Sequence, residues 1–227
     1  MPSEMIAFST ADGSAPGYLA APEGDSPFMG VVVIQEWWGL NAHIQDVTRR
    51  LAEAGAVALA PDLYHGQVAT EPDEARKQAM NLDRPRALAE IGAAVATLKS
   101  DARVEPKRIG VVGFCLGGAL ALEAGAHIAD VGAVVAFYGG SAPEASAFAN
   151  SRVAILNIVG EDDERVKKVQ MKLETDLRMT PIQHELVIYP NVGHAFFNDT
   201  RPEAYDLGAA TDAWTRTLDW LRSRLPG

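Results

Sequence analysis

Short apolar runs alternate with amphipathic segments along most of the chain. The runs are rich in Val, Ile and Ala and carry few charges, which is typical of parallel strands buried on both faces of a sheet. They are residues 30–34, 56–60, 108–112, 132–138, 153–159 and 184–189. Residues 4–21 instead alternate apolar and polar positions around an Asp12-Gly13 turn, which predicts a hairpin at the sheet edge.

Helical periodicity fills the intervals between the runs. Asn41 can cap a helix that carries Ile44, Val47 and Leu51 on one face. Further helices are predicted at residues 72–82, 83–98, after residue 115, and over 166–177 and 214–225. Strands and helices that alternate at these intervals predict one α/β domain over residues 1–227, a doubly wound, mostly parallel sheet with helices on both faces.

Composition restricts the partners that the protein can have. A net charge of −10 and a pI near 4.9 argue against binding to nucleic acid or to anionic membranes. The N-terminus has no basic flank, and no apolar stretch approaches the roughly 18 residues of a membrane span. A single Cys excludes an internal disulfide and fits a reducing compartment. We therefore expect a cytoplasmic protein, monomeric or weakly dimeric, that acts on a small molecule.

The segment GFCLGG, residues 113–118, joins an apolar run to an Ala- and Leu-rich helical segment. This succession of strand, sharp turn and helix is typical of a nucleophile elbow, with Cys115 at the bend. Glycines flank the bend because a Cβ there would crowd the strand or the helix. The backbone N–H of Leu116 could then stabilise an oxyanion. The alternative is a small buried cysteine in a glycine-rich packing turn.

Two further polar segments follow predicted strand ends. The turn at residues 160–163 carries acidic side chains, and residues 191–197 place His194 between glycine and phenylalanine positions. Alone, the first could be a solvated loop or a helix cap, and the second a structural histidine. Together with Cys115 they give the chain order nucleophile, acid, histidine, which is that of the α/β-hydrolase triad. We expect Cys115 as nucleophile, His194 as general base and an aspartate of this turn as its partner.

The remaining histidines fit a catalytic role less well. His127 and His184 lie within a predicted helix and strand, while His43 and His65 lack an acidic partner at a strand end. No two histidines are spaced as metal ligands on one helix face, and one cysteine cannot build a zinc site. Residues 113–118 also lack the Lys-Ser/Thr pair of a phosphate-binding loop. We predict no metal ion and no other cofactor.

Five segments together resemble the dienelactone hydrolases, or carboxymethylenebutenolidases, of the α/β-hydrolase superfamily. They are Gln35-Glu36-x-x-Gly39-x-Asn41, Pro61-Asp62-Leu63-Tyr64, residues 113–118, Gly160-x-x-Asp163 and Gly193-His194-x-Phe196. The similarity extends over nearly the whole chain, and the cysteine elbow together with Glu36 is specific to this family. The resemblance implies Cys115, Asp163 and His194 as the triad, with Asp162 as the alternative acid.

The resemblance also implies roles for residues beside the triad. Glu36 would accept a hydrogen bond from the Cys115 thiol, whereas the alternative is a carboxylate that reaches solvent or caps the following helix. The backbone N–H of Trp37 would be the second oxyanion donor. Trp37 and Trp38 would wall the cleft, although tryptophans beside a strand end can equally be packing residues.

The resemblance implies Arg76 as a contact for a substrate carboxylate, and Arg201 is the candidate substitute for a second family arginine. Arg76 matches one family position, and the family has another arginine four residues after the catalytic histidine. This chain has Asn198 at that place, and Arg201 lies three residues further on. The departure bears more on the identity of the substrate than on ester or lactone hydrolysis.

The expected activity is hydrolysis of a small ester or lactone, with a dienelactone-like enol lactone as the leading substrate. A promiscuous carboxylesterase or thioesterase is the enzymatic alternative. A non-catalytic small-molecule binder or a thiol redox sensor is the alternative of another class, since a fold does not fix a function.

Overall fold

The computed structural model describes residues 2–25, 27–105 and 107–225. The strands of this part of the chain are β1 (Ser3–Thr10), β2 (Gly13–Ala20), β3 (Met29–Ile34), β4 (Ala56–Pro61), β5 (Ile109–Phe114), β6 (Val131–Phe137), β7 (Ala154–Gly160) and β8 (Gln183–Tyr189). They form one eight-stranded sheet in the order β1-β2-β4-β3-β5-β6-β7-β8. All neighbours from β4 to β8 pair in parallel, whereas β1 and β2 form an antiparallel hairpin that pairs antiparallel with β4.

Helices cover both faces of the sheet. Their bounds are α1 (Ala42–Glu53), α2 (Pro72–Asn81), α3 (Arg84–Ser100), α4 (Leu116–His127), α5 (Glu164–Leu177) and α6 (Leu207–Arg224). The apolar sides of α1 and α6 share one core with alternate strand residues such as Val31 and Val33. The other face, with Val32 and Ile34, packs against α3, α4 and most of α5. Because residues 31–34 are fully buried on both faces, the run needs no polar alternation.

The predicted α/β architecture is confirmed, with local differences. The hairpin lies at the sheet edge as expected, and Asn41 caps α1 by accepting the Ile44 N–H at 3.1 Å. β5 continues two residues beyond the apolar run, because Gly113 and Phe114 still pair with β6. A short 3-10 helix at Ala145–Phe148 was not predicted.

The topology determines where the polar segments meet. Parallel strands end at the same edge of a sheet, so the residues that follow β3, β5, β7 and β8 come together there. These residues are Glu36, Cys115, Asp163 and His194.

Candidate active site

Cys115 occupies the sharp bend between β5 and α4. Its backbone has φ 55° and ψ −111°, a conformation that non-glycine residues rarely adopt, and its N–H donates to the Phe137 carbonyl at 3.0 Å. The flanking glycines make room for this bend. A Cβ at Gly117 would lie 2.5 Å from the Gln35 carbonyl oxygen, and a Cβ at Gly118 would lie 2.5 Å from that of Phe137. The bend places the Cys115 side chain in the wall of a cavity.

Asp163 and His194 come from the ends of β7 and β8. Asp163 is the N-cap of α5, and its Oδ1 accepts the Val166 N–H at 3.4 Å. Its Oδ2 accepts a hydrogen bond from Nδ1 of His194. Because Nδ1 carries the proton of this bond, Nε2 is the ring nitrogen that can interact with the Cys115 sulfur. The ring does interact with Cys115 as well as with Asp163. Asp163, rather than Asp162, therefore bonds to His194, whose ring interacts in turn with Cys115.

The surroundings of His194 favour its protonated form. Burial alone would lower the pKa of the imidazole, but the hydrogen bond to Asp163 and the interaction with Cys115 outweigh burial and raise the pKa to about 10. The ring is therefore an imidazolium at neutral pH. Such a cation stabilises a neighbouring thiolate and can later donate a proton to a leaving group.

Glu36 is 1% exposed at the end of β3. Asn198 Nδ2 donates to its Oε2 at 2.7 Å, and the Tyr138 hydroxyl donates to its Oε1 at 3.5 Å. Burial raises the pKa of this carboxyl, although the bond from Asn198 opposes the rise. The hydrogen bond from the Cys115 thiol that the sequence suggested is thus replaced by bonds to Asn198 and Tyr138. Glu36 neither reaches solvent nor caps α1, because Asn41 provides that cap.

A cavity of about 740 Å³ opens over Cys115. Trp37 and Trp38 form part of its wall, packed edge to face with their ring centroids 5.2 Å apart. Leu116 also lines the cavity and is the first residue of α4, where a backbone N–H has no acceptor within its own helix. The two residues expected to donate to an oxyanion therefore border the same space as the sulfur.

The arginines that line this cavity are Arg84, Arg165 and Arg201. The guanidinium of Arg201 lies over the Trp38 ring, 4.7 Å from its centroid, and pairs with Glu203 at 2.7 Å. Arg84 and Arg165 are exposed and make no ion pair with the residues described in the structure. Two unpaired cations at a cavity of an acidic protein can attract an anionic ligand.

Arg76 does not line the cavity, and the expectation of a substrate contact at this residue is corrected. Its guanidinium is 63% exposed and pairs with Asp73 at 3.0 Å. The α2 residues that reach the cavity are Pro72 and Ala79. Ala75 is the one residue of α2 that is buried, so the helix has no broad apolar side from which its orientation could be read.

Sequence reasoning missed several partners in this site. It noted Asn198 as a departure from the family pattern but not as the donor to Glu36, which lies 162 positions away. Tyr138, Arg84 and Arg165 were not singled out. The one available signal was their position just after a strand or in the first turn of a helix, where α/β sites form.

The part of the chain that the structure describes holds neither a metal-ligand cluster nor a membrane-spanning helix. It contains no group of three or more His, Cys, Asp or Glu side chains able to hold a metal ion. No helix there is long and apolar enough to cross a membrane.

Comparison with known proteins agrees with the resemblance. The model of the dienelactone hydrolase family matches residues 15–225. The chain belongs to the dienelactone hydrolase family. It is therefore a hydrolase with the α/β-hydrolase fold, as the sequence predicted.

Individual relatives match over most of their length. Protein usf of Aquifex pyrophilus is 34% identical over 232 residues, which cover 98% of this chain and 99% of the relative. A Methylorubrum extorquens protein, provisionally named a carboxymethylenebutenolidase, is 33% identical over 226 residues, 93% of this chain and 77% of the relative. A crystal structure of a provisional dienelactone hydrolase from Klebsiella pneumoniae superposes with a TM-score of 0.86 at 28% identity, covering 96% and 97% of the two chains.

Proposed function

We propose that this dienelactone hydrolase family member cleaves small esters or lactones through a thioester on Cys115. The observation that carries the proposal is the series of contacts from Asp163 through His194 to Cys115. Asp163 fixes the His194 tautomer, and the imidazolium stabilises the thiolate. A binding protein has no need of this arrangement, which favours catalysis over that alternative.

The reaction proceeds in two halves. The Cys115 thiolate attacks the carbonyl carbon, and the backbone N–H groups of Leu116 and Trp37 stabilise the oxyanion that forms. When the intermediate collapses, the C–O bond breaks, and His194 protonates the departing oxygen, leaving a thioester. A water molecule then attacks the thioester while His194 takes its proton. Collapse of the second intermediate releases the acid and returns the thiolate.

The substrate that fits best carries a negative charge close to its ester group. Two arginines of the cavity, Arg84 and Arg165, have no ion pair among the described residues, whereas its acidic residues have partners of their own: Glu36 with Asn198, Asp163 with His194, and Glu203 with Arg201. A bidentate guanidinium contact is a strong way to hold a carboxylate. An enol lactone with a free carboxylate belongs to this class, with Arg165, Arg84 or Arg201 as its contact.

The nucleophile is tested by substitution and by alkylation. Because the sequence contains one cysteine, iodoacetamide reports on Cys115 alone. Wild-type protein should hydrolyse p-nitrophenyl acetate, and both iodoacetamide and Cys115→Ala should reduce kcat to below about one hundredth of its value. A correctly folded Cys115→Ala protein that keeps more activity than this would overturn the proposal.

A further inference from the structure

Of two consecutive residues, Asn198 contacts the connection between β3 and α1, and Asp199 contacts α1 itself. This connection, residues 35–41, contains Glu36 and Trp37. Asn198 and Asp199 follow His194 in an irregular segment that begins with Ala195 at a left-handed φ of 63°. Such a conformation persists only where surrounding contacts determine it.

The first contact lies inside the active site. Asn198 is 1% exposed, and its Nδ2 donates to Glu36 Oε2 at 2.7 Å. Its Oδ1 is fixed in turn by two donors, the Thr200 N–H at 3.1 Å and the Thr200 hydroxyl at 2.7 Å. The amide of Asn198 is therefore oriented from both sides, with its donor towards Glu36.

The second contact lies at the start of α1. The Asp199 carboxylate accepts from Nδ1 of His43 at 3.2 Å through Oδ1 and pairs with Arg50 through Oδ2. His43 is 1% exposed, and burial lowers its pKa more than Asp199 raises it, so the ring is neutral. Because Nδ1 donates to the carboxylate, the single ring proton of neutral His43 lies on Nδ1. The other ring nitrogen, Nε2, is buried and has no hydrogen-bond partner in the described part of the chain.

The His43 ring also connects the two halves of the site. It packs edge-on against Phe114 and Phe197, with each pair of ring centroids 6.3 Å apart. Phe114 directly precedes Cys115, and Phe197 directly precedes Asn198. Asp199 thus holds a ring that touches the strand carrying the nucleophile and the segment carrying the base.

We propose that Asp199 is a positioning residue for hydrolysis, acting through His43 and Asn198 on the connection between β3 and α1. This inference rests on the proposed function. With Asn198 bonded to Glu36 near the start of the connection and Asp199 bonded to His43 in the first turn of α1, the Trp37 N–H and the Glu36 carboxyl group keep a fixed relation to Cys115. Loss of the Asp199 carboxylate frees one end, and both groups then shift relative to the sulfur.

The expected signature is a change in catalysis that exceeds the change in stability. The pair of Asp199 and Arg50 is about one third exposed, and ion pairs of this kind contribute little to folding. Displacement of an oxyanion donor by a fraction of an ångström, in contrast, acts mainly on kcat. A purely structural role would give the opposite pattern, a lower Tm with unchanged kcat at low temperature.

The first experiment compares Asp199→Ala and His43→Phe with the control Asp130→Ala. Asp130 also joins two elements, through a bond to Lys99 at 2.6 Å, but it precedes β6 at the opposite edge of the sheet. On a neutral p-nitrophenyl ester, both test variants should lose about tenfold or more in kcat, with KM within about twofold. The control should keep its kcat. Test variants that fold and match the control in kcat would overturn the proposal.

The second experiment needs no turnover. We expect the iodoacetamide alkylation profile of Cys115 against pH to shift in the same direction in both Asn198→Ala and Asp199→Ala, because each substitution frees the Glu36 carboxyl group to change its position relative to the sulfur. The double variant should match the more affected single variant, since both act on one connection. A shift in Asn198→Ala with none in Asp199→Ala would overturn the proposal. If wild-type protein hydrolyses no ester, the proposed function fails, but this comparison still tests the positioning role.

Discussion

Replacement of Gly117 by alanine tests whether the contact between α4 and the end of β3 sets the geometry of the site. A Cβ at Gly117 would lie 2.5 Å from the Gln35 carbonyl oxygen and closer still to that of Ile34. Carbon and oxygen atoms in contact normally stay about 3.3 Å apart or more. Because the obstructing atoms are backbone, no side-chain rotation relieves the overlap. The end of β3 and the start of α4 must therefore separate by about 0.8 Å at Gln35 and by slightly more at Ile34.

The size of the effect follows from this displacement. Glu36 and Trp37 follow Gln35 directly, so the proposed oxyanion donor moves away from Cys115. A shift of about 1 Å can lower a rate about 100-fold, and we expect kcat to fall by about that factor. Overpacking at a site that cannot relax lowers the free energy of unfolding by about 3 kcal/mol. The helical preference of alanine over glycine offsets about 1 kcal/mol of this loss. The net loss of about 2 kcal/mol should lower Tm by about 4–8 °C.

Gly92→Ala is the matched control, because Gly92 is a helical glycine with room for a Cβ. The nearest atoms to that Cβ belong to Ile128, at 3.7 and 4.0 Å, which is ordinary contact. Gly92→Ala should therefore raise Tm by about 2–4 °C and leave kcat unchanged. The measurements are differential scanning calorimetry and initial rates on p-nitrophenyl acetate. If Gly117→Ala behaves like Gly92→Ala, the packing argument for the elbow is wrong.

Three further predictions concern charge in the cavity. Arg165→Ala should lower kcat/KM for a carboxylate-bearing ester about 10-fold or more but spare a neutral analogue, whereas Arg76→Ala should affect neither; equal responses of both substrates would refute the contact. Since His194 has a raised pKa of about 10, its proton is present through neutral pH and is lost as pH rises through that value. Steady-state rates on an alkyl ester, whose leaving group needs a proton, should therefore fall above about pH 10, and a decline already near pH 7 would contradict this. Glu36→Gln removes a carboxyl group that disfavours the thiolate when it is ionised and should let iodoacetamide react at lower pH, so superimposable profiles would leave Glu36 without influence on the thiol.

The sequence was informative where local sterics determine the structure. Residues 113–118 predict the bend because a strand that turns directly into a helix leaves no room for a Cβ at position 117 or 118, so glycine is favoured there. The continuous apolar run before Glu36 likewise predicts a buried parallel strand whose end opens onto the site. Both features depend on residues that are neighbours along the chain.

The sequence was less informative where contacts join distant segments. The bond from Asn198 to Glu36 spans 162 positions and forms only after β8 has been placed in the sheet. Arg76 shows a second limit, because α2 buries one alanine and its periodicity gives no rotation about the helix axis. The direction of an exposed side chain on such a helix depends on packing that local pattern does not encode.

The two oxygens of Asp163 have consequences for how this chain could lose its activity. Oδ1 accepts the Val166 N–H at the start of α5, and Oδ2 accepts from His194. Asparagine caps helices as well as aspartate does, so the requirement at Oδ1 survives an Asp163→Asn exchange. At the other position an amide N–H₂ would meet the ring N–H, and the histidine would turn to the wrong tautomer. A single substitution could therefore convert the enzyme into a stably folded protein that retains the cavity and its arginines without turnover, a short evolutionary step from hydrolase to small-molecule binder.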